Sequence, residues 1–272
     1  MNNEGGFHMN SLKWINSVAF LAMVTVNVLA NAIPIGGNMT GEVSQSYPNL
    51  FTPAPITFAI WGVIYLLLML FILFQLGIMG NSSTAAVVRD VIGWSFVASC
   101  VLNIGWILAW HMRLIELSAV FIVLLLVNLI LITMKLYVSP TSFFNFLMVK
   151  LGFDIYYGWI IAATIANFSV LLVKVKWNRF GLTEVTWTLI ILIVGALIAS
   201  SVVFLNGRHF AGLAVIWAYV GIIIKHASSS GFGGQYKSII VAAVIGIFLI
   251  GCASVFRLIC PVPKVGINST YE

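Results

Sequence analysis

Three apolar stretches of this 272-residue sequence carry aromatic rings and amides at helical spacing. An α-helix brings positions i, i+3 or i+4 and i+7 onto one face, so each stretch presents a stripe of flat side chains. Flat rings stack on planar molecules, and an amide both donates and accepts hydrogen bonds. The pattern is typical of a pocket for a large, planar, mostly apolar ligand. The stripes are Phe58, Trp61 and Tyr65; Asn103, Trp106 and Trp110; and Tyr156, Trp159, Ala163 and Asn167.

Further amides lie in neighbouring apolar stretches, with Asn27 and Asn31 spaced i, i+4 in the first of them. They are candidates for the wall of the same pocket. A second interpretation is that the amides hydrogen-bond between helices and that the rings anchor helix ends at a membrane surface. For Trp61, Trp106 and Trp159 both interpretations stay open at this point.

Ionisable side chains give fewer candidates for a functional site than the rings and amides do. Asp154 is the one acid inside an apolar stretch, and it is either a functional acid or the partner of Lys150 in an i, i+4 ion pair, which is the simpler account. His111 is expected to be a solvated histidine at a helix end, with haem ligation as the alternative. The sequence lacks paired carboxylates, a metal-ligand cluster and an activated nucleophile at usable spacing, so we expect a protein that is not an enzyme and requires no metal or cofactor.

The composition identifies the solvent around these stretches. Lys plus Arg number 13 and Asp plus Glu number 7, so 20 of 272 residues are charged, while 61% are hydrophobic. So few charges cannot cover a water-facing surface, since a typical soluble domain has about 25% charged residues. The basic residues are scattered between apolar runs instead of gathered on one face, which excludes a nucleic-acid partner. The lipid bilayer is therefore the expected surrounding.

Crossing a bilayer takes about 20 apolar residues in a helix. Eight runs approach or exceed this length, and the seventh is the shortest. We predict an all-α, polytopic membrane helix bundle of about eight transmembrane helices. The runs are Trp14 to Ile35, Ala54 to Ile78, Val91 to Trp110, Leu117 to Met134, Leu151 to Val173, Val185 to Leu205, Phe210 to Ile224 and Ser238 to Phe256.

Most connections between the runs are short, but two differ from the rest. The stretch from Gly36 to Thr52 is long and contains several glycines and apolar residues, which predicts a folded cap over one mouth of the bundle. The basic connection from Lys174 to Glu184 follows the fifth run. It divides the chain into a predicted five-helix bundle, residues 1–175, and a C-terminal extension of three membrane helices, residues 176–272.

Three motifs give these runs a family resemblance. The stretch from Tyr47 to Tyr65 resembles the segment of the TspO/MBR family, the translocator or tryptophan-rich sensory proteins, in which a proline-containing loop enters the second helix. Asn103-Ile-Gly-Trp106 is similar to the family's Asn-x-x-Trp in the third helix. Tyr156-Tyr-Gly-Trp159, with Asn167 two turns on, is similar to the signature of the fifth helix. The matching positions of the first motif are Pro53, Pro55, Phe58, Trp61 and Tyr65.

The resemblance covers about residues 12 to 175, and two features depart from it. Ile155 stands where the family's signature has proline, and the last three runs have no counterpart in the short members. The chain is therefore more similar to longer, eight-span relatives.

The resemblance implies an integral membrane binding or sensory protein in the cell membrane of a prokaryote. It would hold a porphyrin, haem or sterol-like molecule under the first long loop as a lid, and a homodimer is its expected assembly. A small-molecule transporter or permease component is the alternative function, and photo-oxidation of a tetrapyrrole is a further activity suggested for some relatives. The ligand contacts that the resemblance carries over are Trp61, Asn103, Trp106, Trp159 and Asn167, with Asn27, Asn31, Phe58, Tyr65, Trp110 and Tyr156 as pocket wall.

Overall fold

The computed structural model of the chain describes residues 4–33, 35–79, 82–137 and 142–260. These residues form helices, turns and loops without a strand, which confirms the all-α prediction. The helices are α1 (Glu4–Ala32), α2 (Thr40–Gln45), α3 (Ile60–Gln75), α4 (Ser82–Ile92), α5 (Ser95–His111), α6 (Ile115–Tyr137), α7 (Phe143–Asn145), α8 (Leu151–Lys174), α9 (Glu184–Asn206), α10 (His209–Ala227) and α11 (Lys237–Ile259).

The membrane spans lie where the apolar runs predict them. Among the described residues, seven helical segments are long and apolar enough to cross a bilayer, and the bent pair formed by α4 and α5 brings the number to eight. The predicted seventh run, the shortest in the sequence, is part of a longer helix of 19 residues. Arg208 lies immediately before this helix, and Lys225 and His226 belong to its last turn. At a rise of 1.5 Å per residue its length is about 28 Å, close to the thickness of the hydrocarbon core.

One helix begins later than its apolar run. The third run was predicted to start at Val91, but the chain bends by 54° between α4 and α5. Gly93 lies at the break with φ of 57°, and its amide donates to the carbonyl of Arg89 at 2.7 Å. A left-handed residue of this kind ends a helix, and glycine adopts it without steric cost. The third span is therefore broken near its start.

The first five spans pack as a bundle in which α5 lies against α1 and α6, and α8 lies against α3 and α6. The last three spans form a second group, with α9 and α10 both against α11. The two groups meet chiefly where α10 lies along α8. Most of their buried apolar side chains form one continuous cluster, from Phe20 in α1 to Ile250 in α11, and a small second cluster includes Trp110 and Val170. The division of the chain into residues 1–175 and 176–272 stays a prediction.

The long first connection is folded, as predicted. It holds a helical turn at Ile35–Gly37 and the short helix α2. Val43, Leu50 and Phe51 turn inward and are buried. The connection contacts α5 through α2. We call residues 36–52 the lid.

Candidate functional site

Under the lid lies a closed, largely apolar pocket between α5, α8 and α10. Its walls include six residues of the predicted stripes, two further alanines of α8 and two residues of the C-terminal extension. The cavity that remains between them is only about 30 Å³. That volume suits one or two water molecules, not a planar organic ligand. The lining residues are Ser44, Phe51, Pro53, Phe58, Trp106, Trp110, Trp159, Ala162, Ala163, Ala166, Asn167, Ala218 and Ile222.

The stripes converge as predicted, but Trp61 lies beside the pocket and not in its wall. Its ring centroid is 5.6 Å from that of Trp106 and 6.3 Å from that of Trp159. Tyr65 stacks on its other side at 5.6 Å, and Tyr156 meets it edge-on at 5.8 Å. Trp61 therefore supports two pocket rings from behind, through contacts between α3, α5 and α8.

Asn103 is likewise outside the lining and is fully buried. Its Oδ1 accepts from Asn27 Nδ2 at 2.7 Å, and its Nδ2 donates to the hydroxyl of Tyr156 at 3.0 Å. This chain of hydrogen bonds connects α1, α5 and α8, as the interhelical interpretation of the amides predicts. In this closed state the protein itself occupies the polar groups of Asn103, while its direct contact with a ligand stays a prediction.

Asn167 does line the pocket, and its Nδ2 donates to Ser118 Oγ at 3.0 Å. The indole nitrogens of Trp106 and Trp159 are different, since neither has a hydrogen-bond partner among the described residues although both are buried. A buried donor without an acceptor is costly, and native structures contain few of them. Two of the rings that line the pocket thus carry N–H donors that the described residues leave without an acceptor.

The five-helix bundle holds one end of the lid. Thr40 Oγ1 lies 3.0 Å from both Asn31 Oδ1 and His111 Nε2, and its carbonyl accepts from Trp110 Nε1 at 3.1 Å. The expectation of a solvated His111 is therefore wrong: the side chain is 1% exposed, because the lid folds over it. The alternative that His111 ligates a haem iron is disfavoured as well, because its Nε2 already forms a hydrogen bond with Thr40.

The C-terminal extension holds the other end of the lid and the segment after it. Trp217 Nε1 donates to the carbonyl of Thr57 at 2.8 Å, and the amide of Ala54 donates to the carbonyl of Gly221 at 3.0 Å. His226 Nε2 lies 2.8 Å from the carbonyl of Leu50. Sequence reasoning missed this whole wall, because no local pattern relates α10 to a loop about 170 positions earlier.

Asp154 has a different partner from the one that the spacing suggested. Its carboxylate Oδ1 lies 2.5 Å from Arg208 Nη1, and the same guanidinium also donates to the carbonyl of Thr133. Both side chains are about 5% exposed. The close ion pair is therefore with Arg208, while the charge of Lys150, the expected partner, also acts on Asp154. A π-helical turn at Phe146–Lys150 interrupts the regular winding before Asp154. Arg208 turns inward instead of extending to the membrane surface.

Phe58 and Trp110, which were also predicted, lie in the wall of the aromatic pocket. Phe58 lines the pocket and meets Trp159 edge-on at 6.0 Å. Trp110 stacks on Trp106 at 6.2 Å. The helix α8 runs regularly through Ile155, the position where the family's signature has proline. Within the described part of the chain, no three His, Cys, Asp or Glu side chains gather in a way that could hold a metal ion.

Comparison with known families gives a match over most of the chain. A family model described as TSPO-like protein matches residues 13–256, which includes the three C-terminal spans. Comparisons with curated proteins and with solved structures give no match.

Proposed function

The chain belongs to the TSPO-like family of membrane proteins, and on this premise we propose that it binds a planar hydrophobic ligand of the porphyrin, haem or sterol type. The ligand would lie in the pocket under the lid, with Trp106 and Trp159 against its faces and Asn167 at its edge. Binding would serve sensing, because the closed pocket has to change shape to admit a ligand.

The observation that carries this proposal is the pair of unpartnered indole N–H groups, of Trp106 and Trp159, in an aromatic pocket. A ligand with a carboxylate or carbonyl oxygen would give these donors the acceptors that the protein does not supply. The rings would at the same time bury its flat, apolar body. A purely aliphatic ligand would use neither property.

The pocket volume adds a condition. Small-molecule pockets usually measure about 300–1,000 Å³, whereas this one leaves about 30 Å³. Binding therefore requires the lid residues Ser44 and Phe51 to move away from the α10 residues Ala218 and Ile222. A ligand that binds only after this movement stabilises the conformation with the lid open. The change in lid position could then signal that the ligand is bound.

Titration of the purified full chain with protoporphyrin IX, followed by tryptophan fluorescence, tests the proposal. Ala166→Leu fills the pocket without removing a hydrogen bond, and we expect it to abolish saturable quenching. The matched control is Ala22→Leu, which adds the same groups to an exposed position of α1. Saturable quenching that persists in Ala166→Leu, or that is absent from the wild type, would overturn the proposal.

A second variant tests the two donors. Trp106→Phe together with Trp159→Phe keeps aromatic faces and removes both N–H groups. Loss of two hydrogen bonds of about 1 kcal/mol each should weaken binding roughly thirtyfold. Because these substitutions also remove fluorophores, the affinity is read from the absorbance of the porphyrin.

The alternatives give separate results. A transporter would move its substrate across liposomes and would need Asp154, whereas the binding proposal predicts no such flux and gives Asp154 only a structural role, in the ion pair outside the pocket. Photo-oxidation would give a new product on illumination of the complex, whereas binding alone leaves the tetrapyrrole intact. A homodimer in a prokaryotic cell membrane is a further proposal from the resemblance, and chemical crosslinking in native membranes tests it.

A further inference from the structure

A second cavity lies at the end of α8, where the chain passes into the C-terminal extension. It measures about 360 Å³ and is the roomier of the two sites. Pro48 and Asn49 of the lid form one side, and Trp177, Arg179 and Trp187 belong to the opposite side. Phe51 lines both this cavity and the aromatic pocket, so the two cavities share a lid residue.

The cavity continues into an apolar groove between α8 and α9. The groove has a volume of about 220 Å³ and shares Ser169, Leu172, Trp187 and Ile191 with the cavity. Its far end is formed by Thr164, Phe168 and Val194, of which the last two are exposed on the membrane-facing side. From Thr164 to Val173 the groove and cavity follow α8 for about 14 Å. The cavity, which we call the chamber and which charged and apolar side chains line together, thus leads directly into an apolar groove open to lipid.

Two basic side chains of the chamber have no ion-pair partner among the described residues. Lys174, nearby, is engaged with Glu116 at 2.6 Å, whereas Lys176 and Arg179 line the chamber with no carboxylate of the described residues within 4 Å. Glu184 lines the same chamber and opposes an anion, which leaves a net charge of one positive unit. Both cations also have left-handed backbones, with φ of 53° and 56°, a conformation uncommon for residues with side chains.

Two indoles place the chamber at the level of the membrane surface. The rings of Trp177 and Trp187 meet edge-on with centroids 4.8 Å apart. Tryptophans concentrate where the hydrocarbon meets the lipid headgroups. At that depth the groups that most commonly carry negative charge are the phosphates of anionic lipids.

We propose that the chamber and groove together bind one anionic phospholipid. Its phosphate lies between Lys176 and Arg179, and one acyl chain lies in the groove between α8 and α9. The unpaired cations select the negative headgroup, and the continuous apolar groove selects an amphiphile over a soluble anion. The lipid contacts Pro48 and Asn49, so that its presence steadies the lid from outside the aromatic pocket.

The test is native mass spectrometry of the delipidated full chain with dioleoylphosphatidylglycerol and with dioleoylphosphatidylcholine, which have the same acyl chains. The wild type should prefer the anionic lipid about tenfold, the effect expected of basic residues at a membrane surface. Lys176→Gln with Arg179→Gln should remove this preference. Lys13→Gln with Lys237→Gln is the matched control, since it removes two positive charges that line neither the chamber nor the groove and should keep the preference.

A separate variant tests the proposed binding of the acyl chain in the groove between α8 and α9. Val194→Trp fills the groove, and Ile193→Trp places the same ring on an exposed lipid-facing position one residue earlier. Only Val194→Trp should weaken binding of both lipids. Three results would each overturn the proposal: equal binding of the two lipids by the wild type, equal loss in the two charge variants, or binding of glycerol 3-phosphate as tight as that of the lipid. The last would indicate a site for soluble anions.

Discussion

The two ends of α10 are joined to the five-helix bundle by different chemistry. At its N-terminal end, Arg208 forms a buried ion pair with Asp154 and a hydrogen bond to the carbonyl of Thr133. At its C-terminal half, three neutral hydrogen bonds reach the lid and the segment behind it, through Trp217, Gly221 and His226.

This difference separates a permanent joint from a releasable one. Breaking a buried ion pair leaves a charge in a medium that cannot solvate it, so the N-terminal joint is held under all conditions in which the protein is folded. Each neutral bond contributes only about 1 kcal/mol. Since the aromatic pocket must open to admit a ligand, we expect α10 and the lid to part at the C-terminal half while Arg208 stays in place.

The largest expected effect comes from breaking the permanent joint. Arg208→Ala leaves the Asp154 carboxylate buried and unpaired, and we expect it to lower the free energy of unfolding by about 3–5 kcal/mol. Thermal unfolding of the purified chain measures this. Arg113→Ala, whose guanidinium is exposed and bonded to Asn38, is the control. Equal unfolding temperatures for the two variants would show that the ion pair is not a joint.

A smaller effect is expected from crowding the releasable joint. A Cβ at Gly221 would overlap the side chain of Thr57, whereas a Cβ at Gly62 would meet no atom within 4 Å. Gly221→Ala should therefore cost about 1–3 kcal/mol through overpacking. Gly62→Ala should be neutral or stabilising, since alanine favours helix over glycine. Thermal unfolding of both variants decides, and a Gly221→Ala protein as stable as the wild type would contradict the close approach of α10 to the segment behind the lid.

Removing one hydrogen bond between α10 and the lid should have the smallest effect on global stability, but a clear local effect on the lid. His226→Phe removes the partner of the Leu50 carbonyl, which costs about 1–2 kcal/mol. Because only the lid opening depends on that bond, hydrogen exchange of lid amides should accelerate roughly five- to thirtyfold while the unfolding temperature changes little. Lys237→Gln, at an exposed position at the start of α11, should leave the exchange rate unaltered. Acceleration throughout the bundle would instead mean that the C-terminal joint is as permanent as the other.

The sequence could predict what depends on short-range periodicity. Apolar runs located the spans, and the 3.6-residue repeat placed Trp106, Trp159 and Asn167 on faces that meet at one pocket. It could not distinguish a ring in the pocket wall from one behind it, as with Trp61, because both face inward. The same limit applies to Asn103, whose amide faces two neighbouring helices.

Features set by distant partners were beyond sequence reasoning. Asp154 pairs with a residue 54 positions later, and the i, i+4 rule that suggested Lys150 sees only one turn ahead. His111 becomes buried because the lid folds back over it, which no feature of the residues beside it indicates. The wall that α10 contributes depends in the same way on how two groups of helices pack.

The aromatic pocket's small volume has a kinetic consequence. Because about 30 Å³ remains in the closed state, a ligand cannot bind first and open the lid afterwards from within the site. Opening has to come first, so the observed association rate should rise with ligand concentration and then level off at the opening rate of the lid. His226→Phe should raise that plateau, whereas Arg208 should influence it only by keeping α10 attached.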